Sequence, residues 1–399
     1  MKFLFFSDHA HLALDPESTR VSGGSQLQVA LLARELAAVG HQATILGAET
    51  GQTDGAVIQG VRLRKAGRFD TGALGDTVFA LPKILRVLRE EKADFVVVYG
   101  WTSLLFLLGH LKRVFGYKLV FVCALDAEID GGFRRENPFR GLLFEKGLPL
   151  SDFRFGITRH QARLFHKRGM DCDVTRLLLQ QAAFVSDGKK TVDLLWVARC
   201  HAVKRPMKFL DLAERFPPAR CRMICSPQDP NLWDDVRARA LAMRNVEFVG
   251  SAPYREIQNH FNAARIFVNT STEEGVPNTF IHAGLGRAAI ASLRVDPDGM
   301  FEVFKAGFCA GDEMELLAAG VRRLLDRPEE LAETQAEAAR FVREWHGNRA
   351  NVAAFLNGLK KRGPTKSRGP RDNQSETSTN SGTISPRCLP GRTKTSLSE

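Results

Sequence analysis

The chain has 399 residues, with 56 Lys and Arg against 45 Asp and Glu, a formal charge of +11, and an apolar share of 44%. That length allows two or three domains, and that composition supplies more than one core. Seven cysteines, an odd number without paired spacing, argue against a disulfide scaffold and for a reducing compartment.

In chain order, residues 2–6 form a short apolar run stopped by Ser7 and Asp8, a first buried strand rather than a secretory signal. Gly23 and Gly24 follow in a loop, where adjacent glycines allow positive φ and close approach of backbone to a ligand. Residues 25–39 then show helical spacing at Leu27, Leu31, Leu32 and Leu36, and residues 42–46 give the next strand. The apolar region 95–111 is interrupted by Gly100, Thr102, Ser103, Gly109 and His110. It therefore reads as strand, turn and helix, not as a membrane span. A strand at 118–123 closes that unit. Residues 132–146, with Arg134, Arg135, Phe139, Arg140, Leu142, Leu143 and Phe144, have two readings: an amphipathic helix packed on the first domain, or one lying on an anionic bilayer.

A lysine-bearing break at 186–190 ends the first half. The second half restarts with strand 193–198, helix 207–215, strands 222–225 and 246–249, helix 254–263 and strand 266–269. A helix near 278–285, strand 288–292 and helices 313–325 and 328–345 complete it. The βαβ alternation predicts an α/β protein of two doubly wound, Rossmann-like domains, with ligands at the carboxyl ends of the strands. The domains are expected at 1–188 and 189–345, with a helix over 346–361 and a basic tail over 362–399. The tail holds seven basic and three acidic residues and almost no large apolar ones, so disorder is expected there.

The richest segment is 269–292. It reads as a strand, a Thr-Ser-Thr turn, then Glu273, Glu274, Gly275, Val276, Pro277, Asn278 and Thr279 opening a helix. A helix start offers unpaired N–H donors and a positive dipole end to a phosphate, while the carboxylates suit sugar hydroxyls. Arg199 and Lys204 follow the first strand of the second half, a planar fork and a point charge suited to one diphosphate. Two other patterns are set aside. Gly284, Gly286 and Ala289 match a dinucleotide fingerprint only formally, since they leave a helix and enter a strand. Cys221 and Cys225 make half of a zinc spacing that nothing completes, and packing explains them.

With Gly23-Gly24-Ser25-Gln26, Ala124-Leu125-Asp126, the run 197–206, Val249-Gly250, Glu274 through Ile281 and the run 295–299 in order, the chain resembles family-four glycosyltransferases of the retaining, group 1 type. The resemblance spans roughly residues 1–360 and implies the GT-B fold, two Rossmann-like domains facing across a cleft. It implies that Arg199 and Lys204 neutralise the donor diphosphate, with the helix start spanning Val276, Pro277, Asn278 and Thr279 adding backbone donors. Glu274 would hold hydroxyls of the donor sugar. Asp126 and Asp130 would lie near the transferred sugar and acceptor, with Asp126 ranked first to orient it, while Gly23 and Gly24 would face the ligand. The family needs neither a metal nor a cofactor, the UDP- or GDP-linked sugar being a substrate. One position departs from the pattern: His282 stands where the family's second glutamate binds ribose. An imidazole facing ribose would make nucleotide affinity pH-dependent between roughly pH 5.5 and 7.5.

The expectation is a cytoplasmic enzyme, within reach of the inner membrane face. It would move a sugar from a nucleotide diphosphate to a glycan or lipid-linked acceptor with retention, in cell-surface polysaccharide synthesis. His282 motivates the alternative of a catalytically impaired sugar-nucleotide-binding or scaffold protein. A nucleic-acid reading rests on the basic tail alone, without any recognition motif, and no nucleic-acid partner is expected. Truncation after Lys361 is expected to leave the thermal unfolding midpoint unchanged. A fall of more than a few degrees would show that the tail is docked.

Overall fold

The computed structural model describes residues 1–15, 23–67, 69, 74–179 and 189–361, so the tail and most of the expected break at 186–190 lie outside the described residues. Residues 1–361 form one compact unit. Its first half runs β1 (Lys2–Phe6), α1 (Gly24–Ala38), β2 (Gln42–Gly47), β3 (Val57–Ile58), β4 (Val61–Lys65), α2 (Leu74–Glu91), β5 (Phe95–Tyr99), α3 (Leu104–Phe115) and β6 (Lys118–Cys123). It continues through α4 (Gly132–Glu136), α5 (Pro138–Gly147), β7 (Phe153–Gly156), α6 (Arg159–Lys167) and β8 (Asp173–Val174). The second half runs β9 (Val192–Arg199), α7 (Pro206–Glu214), β10 (Cys221–Ser226), α8 (Pro230–Ala242), β11 (Val246–Val249), α9 (Tyr254–Asn262), β12 (Ala264–Asn269) and α10 (Asn278–Leu285). It ends with β13 (Ala289–Ser292), α11 (Met300–Phe304), β14 (Gly307–Cys309), α12 (Met314–Asp326), α13 (Pro328–Trp345) and α14 (Asn348–Lys360).

The first sheet has the order β3-β4-β2-β1-β5-β6-β7-β8, parallel except for the β3–β4 pair. The second has the order β11-β10-β9-β12-β13-β14 and is parallel throughout. Strands covered on both faces must be apolar along their whole length, and Val96–Val98 and Leu119–Cys123 are buried without alternation. Cys221 and Cys225 are buried in β10, in the core of the second half. The two halves share one apolar cluster, joined by α14: Phe355 sits 4.8 Å from Phe155 and 6.4 Å from Phe3, ring centre to ring centre.

Four helices carry no sequence expectation: α2, α6, α8 and the five-residue α11. Helix α2 contains Pro82, a residue that argues locally against a helix. Helix α6 is capped by Thr158, whose hydroxyl accepts from Gln161 N at 3.0 Å, and α8 by Asp229 with Pro230 in its first position. The expected amphipathic helix at 132–146 is two helices, because the Asn137-Pro138 step interrupts the backbone between α4 and α5. Gly23 has φ −71°, so positive φ is not what that glycine supplies. The formal fingerprint is the stop of α10, with Arg287 at φ 49° before β13.

Helices α10 and α13 cross so closely that a Cβ on Gly284 would lie 2.3 Å from Val342 Cγ2 and 2.4 Å from Ala338 O. Gly284→Ala is expected to destabilise the fold by ~1–3 kcal/mol, as forced overpacking does, and chemical denaturation measures it.

Three buried titratable groups give the fold an internal pH balance. Glu128, behind the β6 end, is pushed up to about 7 by burial, although Ala124 N donates to its Oε2 at 2.9 Å. Burial lowers His282 and His346 to about 4. Glu128 therefore contributes stability that is present below its unfolded value of 4.5 and lost as pH rises through about 7. The two histidines contribute stability present above 6.5 and lost as pH falls toward about 4. The two trends oppose each other between pH 4.5 and 6.5. Glu128→Gln is accordingly expected to make unfolding free energy rise more steeply with pH across that window. Urea melts at half-unit pH steps measure the slope, and a slope equal to or shallower than the native one would contradict the assignment.

Candidate active site

Two loops at the carboxyl edge of the second sheet, one after β9 and one after β12, are bound to each other by their backbones. Thr270, fully buried, accepts the Trp196 indole N–H at 2.9 Å and donates its hydroxyl to Lys204 O at 2.7 Å. Thr272 N donates to Val203 O at 2.9 Å, and Arg205 Nε to Thr270 O at 2.6 Å. Arg205 takes a left-handed backbone, φ 48° and ψ 55°, and its guanidinium is held by Asp312. This lacing turns the single-turn helix Ala202–Lys204 toward the β12 loop.

The result is an ion pair that the sequence reading did not anticipate. Lys204 Nζ lies 2.9 Å from Glu274 Oε2, and both side chains are about four-fifths covered. The other carboxylate oxygen, Oε1, accepts from Ser271 Oγ at 2.7 Å and from Asn269 Nδ2 at 3.1 Å. Glu274 is thus fixed from three sides before any ligand arrives. Lys204 and Glu274, assigned to diphosphate and sugar respectively, form one unit.

Around this pair lies a cleft of about 180 Å³, bordered among others by Arg199, Asn269, Ser271, Asn278, Thr279 and Gly24 of the first half. Arg199 is exposed at the end of β9. Asn278 and Thr279 open α10, and Phe280 N already bonds Pro277 O at 3.0 Å. Val276 and Pro277 are buried beneath them. The amides of a helix's first turn have no carbonyl four residues back to pair with, which suits an anion at this rim.

The first half meets the cleft at two glycines. A Cβ on Gly24 would lie 2.5 Å from Asn278 Nδ2, and one on Gly275 would lie 2.3 Å from Ala124 O. A backbone oxygen leaves no room for a side chain at Gly275, while Gly24 packs against the movable end of the Asn278 side chain and borders the cleft. Gln28, one turn into α1, completes the contact: its Nε2 donates to Asn278 Oδ1 at 2.9 Å and to Leu178 O at 3.1 Å, while Leu178 N donates to its Oε1 at 2.7 Å. Gln28 went unnoticed in the sequence, because its partners are 150 and 250 residues away.

Asp126 follows β6, two residues after Ala124, whose carbonyl meets Gly275. Burial raises its pKa, and His160 Nε2 of α6 lies 3.5 Å from its Oδ2. Asp130 does not join it: its carboxylate accepts from Gly132 N at 2.7 Å, faces Arg135 at 3.8 Å and is half exposed. Its role is local, closing the turn before α4.

His282 requires a correction. It is 9% exposed, its ring stacks on Phe261 at 5.4 Å, and its Nδ1 pairs with Gln258 Oε1 at 2.8 Å. With its pKa lowered to about 4, the ring stays neutral between pH 5.5 and 7.5, so the expected titration in that window does not arise from this side chain. A carboxylate at this buried place would face the desolvation penalty that the neutral imidazole avoids.

Residues 23–178 match the glycosyl transferase 4-like domain, and residues 191–327 match the glycosyl transferases group 1 domain. No curated protein sequence matches the chain. Among solved structures, sucrose-phosphate synthase from Thermosynechococcus elongatus superposes with a TM-score of 0.72 at 15% identity, covering 90% of this chain and 98% of that one. The Anabaena protein HepE, solved with UDP-glucose, gives 0.68 at 14%, over 90% of this chain and 100% of that one. A glycosyltransferase from Rickettsia africae gives 0.68 at 14%, over 90% and 98%. At such identities the likeness establishes the fold, and the fold is that of the GT-B glycosyltransferases. With both halves matched by glycosyltransferase domains and joined in this architecture, the chain belongs to the group 1 glycosyltransferases of the family-four type.

Proposed function

We propose that the chain transfers a sugar from a UDP- or GDP-linked donor to a glycan or lipid-linked acceptor with retention of anomeric configuration, in the synthesis of cell-surface polysaccharide. The observation that carries this reading is the Lys204–Glu274 pair beside Arg199 at the opening of α10. The donor's diphosphate would lie between Arg199, Lys204 and the first amides of α10, and the hydroxyls of its sugar against Glu274. As the bond from anomeric carbon to phosphate oxygen breaks, negative charge grows on the leaving nucleotide, and fixed cations stabilise that charge more than they stabilise the intact donor. The acceptor oxygen attacks from the same face, and its proton passes to the departing phosphate. Arg199 and Lys204 offset the diphosphate charge that a metal would otherwise neutralise, and Asp126 orients the acceptor.

The HepE complex with UDP-glucose supports a UDP-sugar as the first donor to try. Peripheral attachment to an anionic membrane fits the outer side of α4 and α5, where Phe139 is 60% exposed near Arg135 and Lys146. No helix among the described residues is long and apolar enough to cross a membrane, so attachment would be at the surface. The impaired-binding alternative differs in one measurement, turnover of a donor.

Release of nucleotide from a panel of UDP- and GDP-sugars tests the proposal. Arg199→Ala and Lys204→Ala are each expected to lower turnover by ~10²-fold or more, the scale set by preorganised electrostatic donors. Unchanged turnover in the double variant would remove both residues from the mechanism. Chelator is expected to leave the rate unchanged; loss of activity restored by Mg²⁺ or Mn²⁺ would overturn metal-independent catalysis.

A further inference from the structure

Asp298 belongs to the second half, yet its carboxylate serves the first. It stands in the single turn Pro297–Gly299 with φ 55° and ψ 23°, a left-handed backbone unusual for a residue with a side chain. Its side chain is 1% exposed. Oδ2 accepts from Arg159 N at 2.8 Å and Oδ1 from His160 N at 3.1 Å, the first two amides of α6. The third amide, of Gln161, is taken by Thr158. Oδ2 also receives Arg176 Nη1 at 2.7 Å, and that guanidinium lies 4.1 Å from the centre of the Trp345 ring at the end of α13. The opening turn of α6 is therefore capped jointly, by a hydroxyl of its own half and a carboxylate of the other.

The residues of that turn point to a purpose. His160 reaches Asp126 with its imidazole. Gln161 is fully buried, and its Oε1 is fixed by Ile157 N at 2.8 Å. Its amide nitrogen is left on the side of Gly275, whose Cβ position lies 3.3 Å away. We propose that Asp298 is a positioning residue: by capping α6 it couples the donor-side half to the carboxylate Asp126, through His160 and Gln161. Acceptor orientation then depends on contact between the halves, because α6 loses two cap bonds when they separate. A side-chain cap of this kind stabilises a helix start. The left-handed backbone of Asp298 holds the carboxylate where both amides reach it. This inference rests on the role given above to Asp126, and its test has one arm that needs no turnover.

Asp298→Asn retains a residue tolerant of the left-handed backbone and removes the charge. Where that variant fails to fold, Asp298→Gly relieves the backbone while deleting the cap. In the first arm, UDP affinity by calorimetry is expected to stay within about twofold of native, while hydrolysis of UDP-glucose falls about tenfold or more. In the Asp126→Asn background the same change is expected to cost no more than about twofold, since coupled residues are not additive. Independent multiplication of the two effects, or unchanged hydrolysis, would reduce Asp298 to interdomain packing. The second arm follows the His160 ring resonance by NMR at fixed pH. Asp126→Asn and Asp298→Asn are expected to displace it in the same direction, and the double variant no further. A His160 resonance that ignores either substitution would overturn the coupling, whether or not the protein turns over any donor.

Discussion

One hydroxyl organises the carboxyl edge of the second sheet. Thr270 sits where β12 ends, takes the indole N–H of Trp196 from β9, and hands its own proton to the carbonyl of Lys204. Neighbouring strands of a parallel sheet diverge into separate loops, each with its own unpaired backbone groups. A buried group that both accepts and donates can satisfy two such loops at once and fix their spacing. Here that spacing sets Lys204 against Glu274. Removing the bonds would leave an indole N–H and the Lys204 carbonyl without these partners, a cost larger than either bond returns.

A second constraint is the closeness of the halves. Gly24 and Gly275 remove side chains where backbone meets side chain or backbone. Gln28 and Asp298 then supply polar groups that reach across, one to α10 and one to α6. The Gln28 side chain is buried, and that of Asp298 is almost wholly covered. Such contacts are specific because they are costly to leave unmade.

The charge distribution carries the same logic inward. Lys204 and Glu274 neutralise one another in the absence of donor, so neither ion is stranded in a half-buried cleft. A diphosphate would then draw on the lysine while Ser271 and Asn269 continue to hold the glutamate. At the site's rear, His282 and Gln258 form a neutral pair where the family pattern expects a carboxylate. That exchange leaves the buried wall uncharged.

By itself the sequence determined the architecture. Apolar runs of five or six residues alternating with helical spacing can bury themselves only as parallel sheets covered on both faces, and the order of motifs named the fold and the cleft. It also singled out Arg199, Lys204, Glu274 and Asp126 as candidates, because each lies at a strand's end or in the loop that follows it, and strand ends are legible locally. Tertiary structure alone decided how those residues combine. The pairing of Lys204 with Glu274, the turning of Asp130 into a local cap and the burial of His282 depend on which loops touch. So do the roles of Gln28 and Asp298, whose partners lie more than a hundred residues away. Local spacing reports which face of an element is apolar; it carries no information about which distant backbone amide a buried polar side chain will meet.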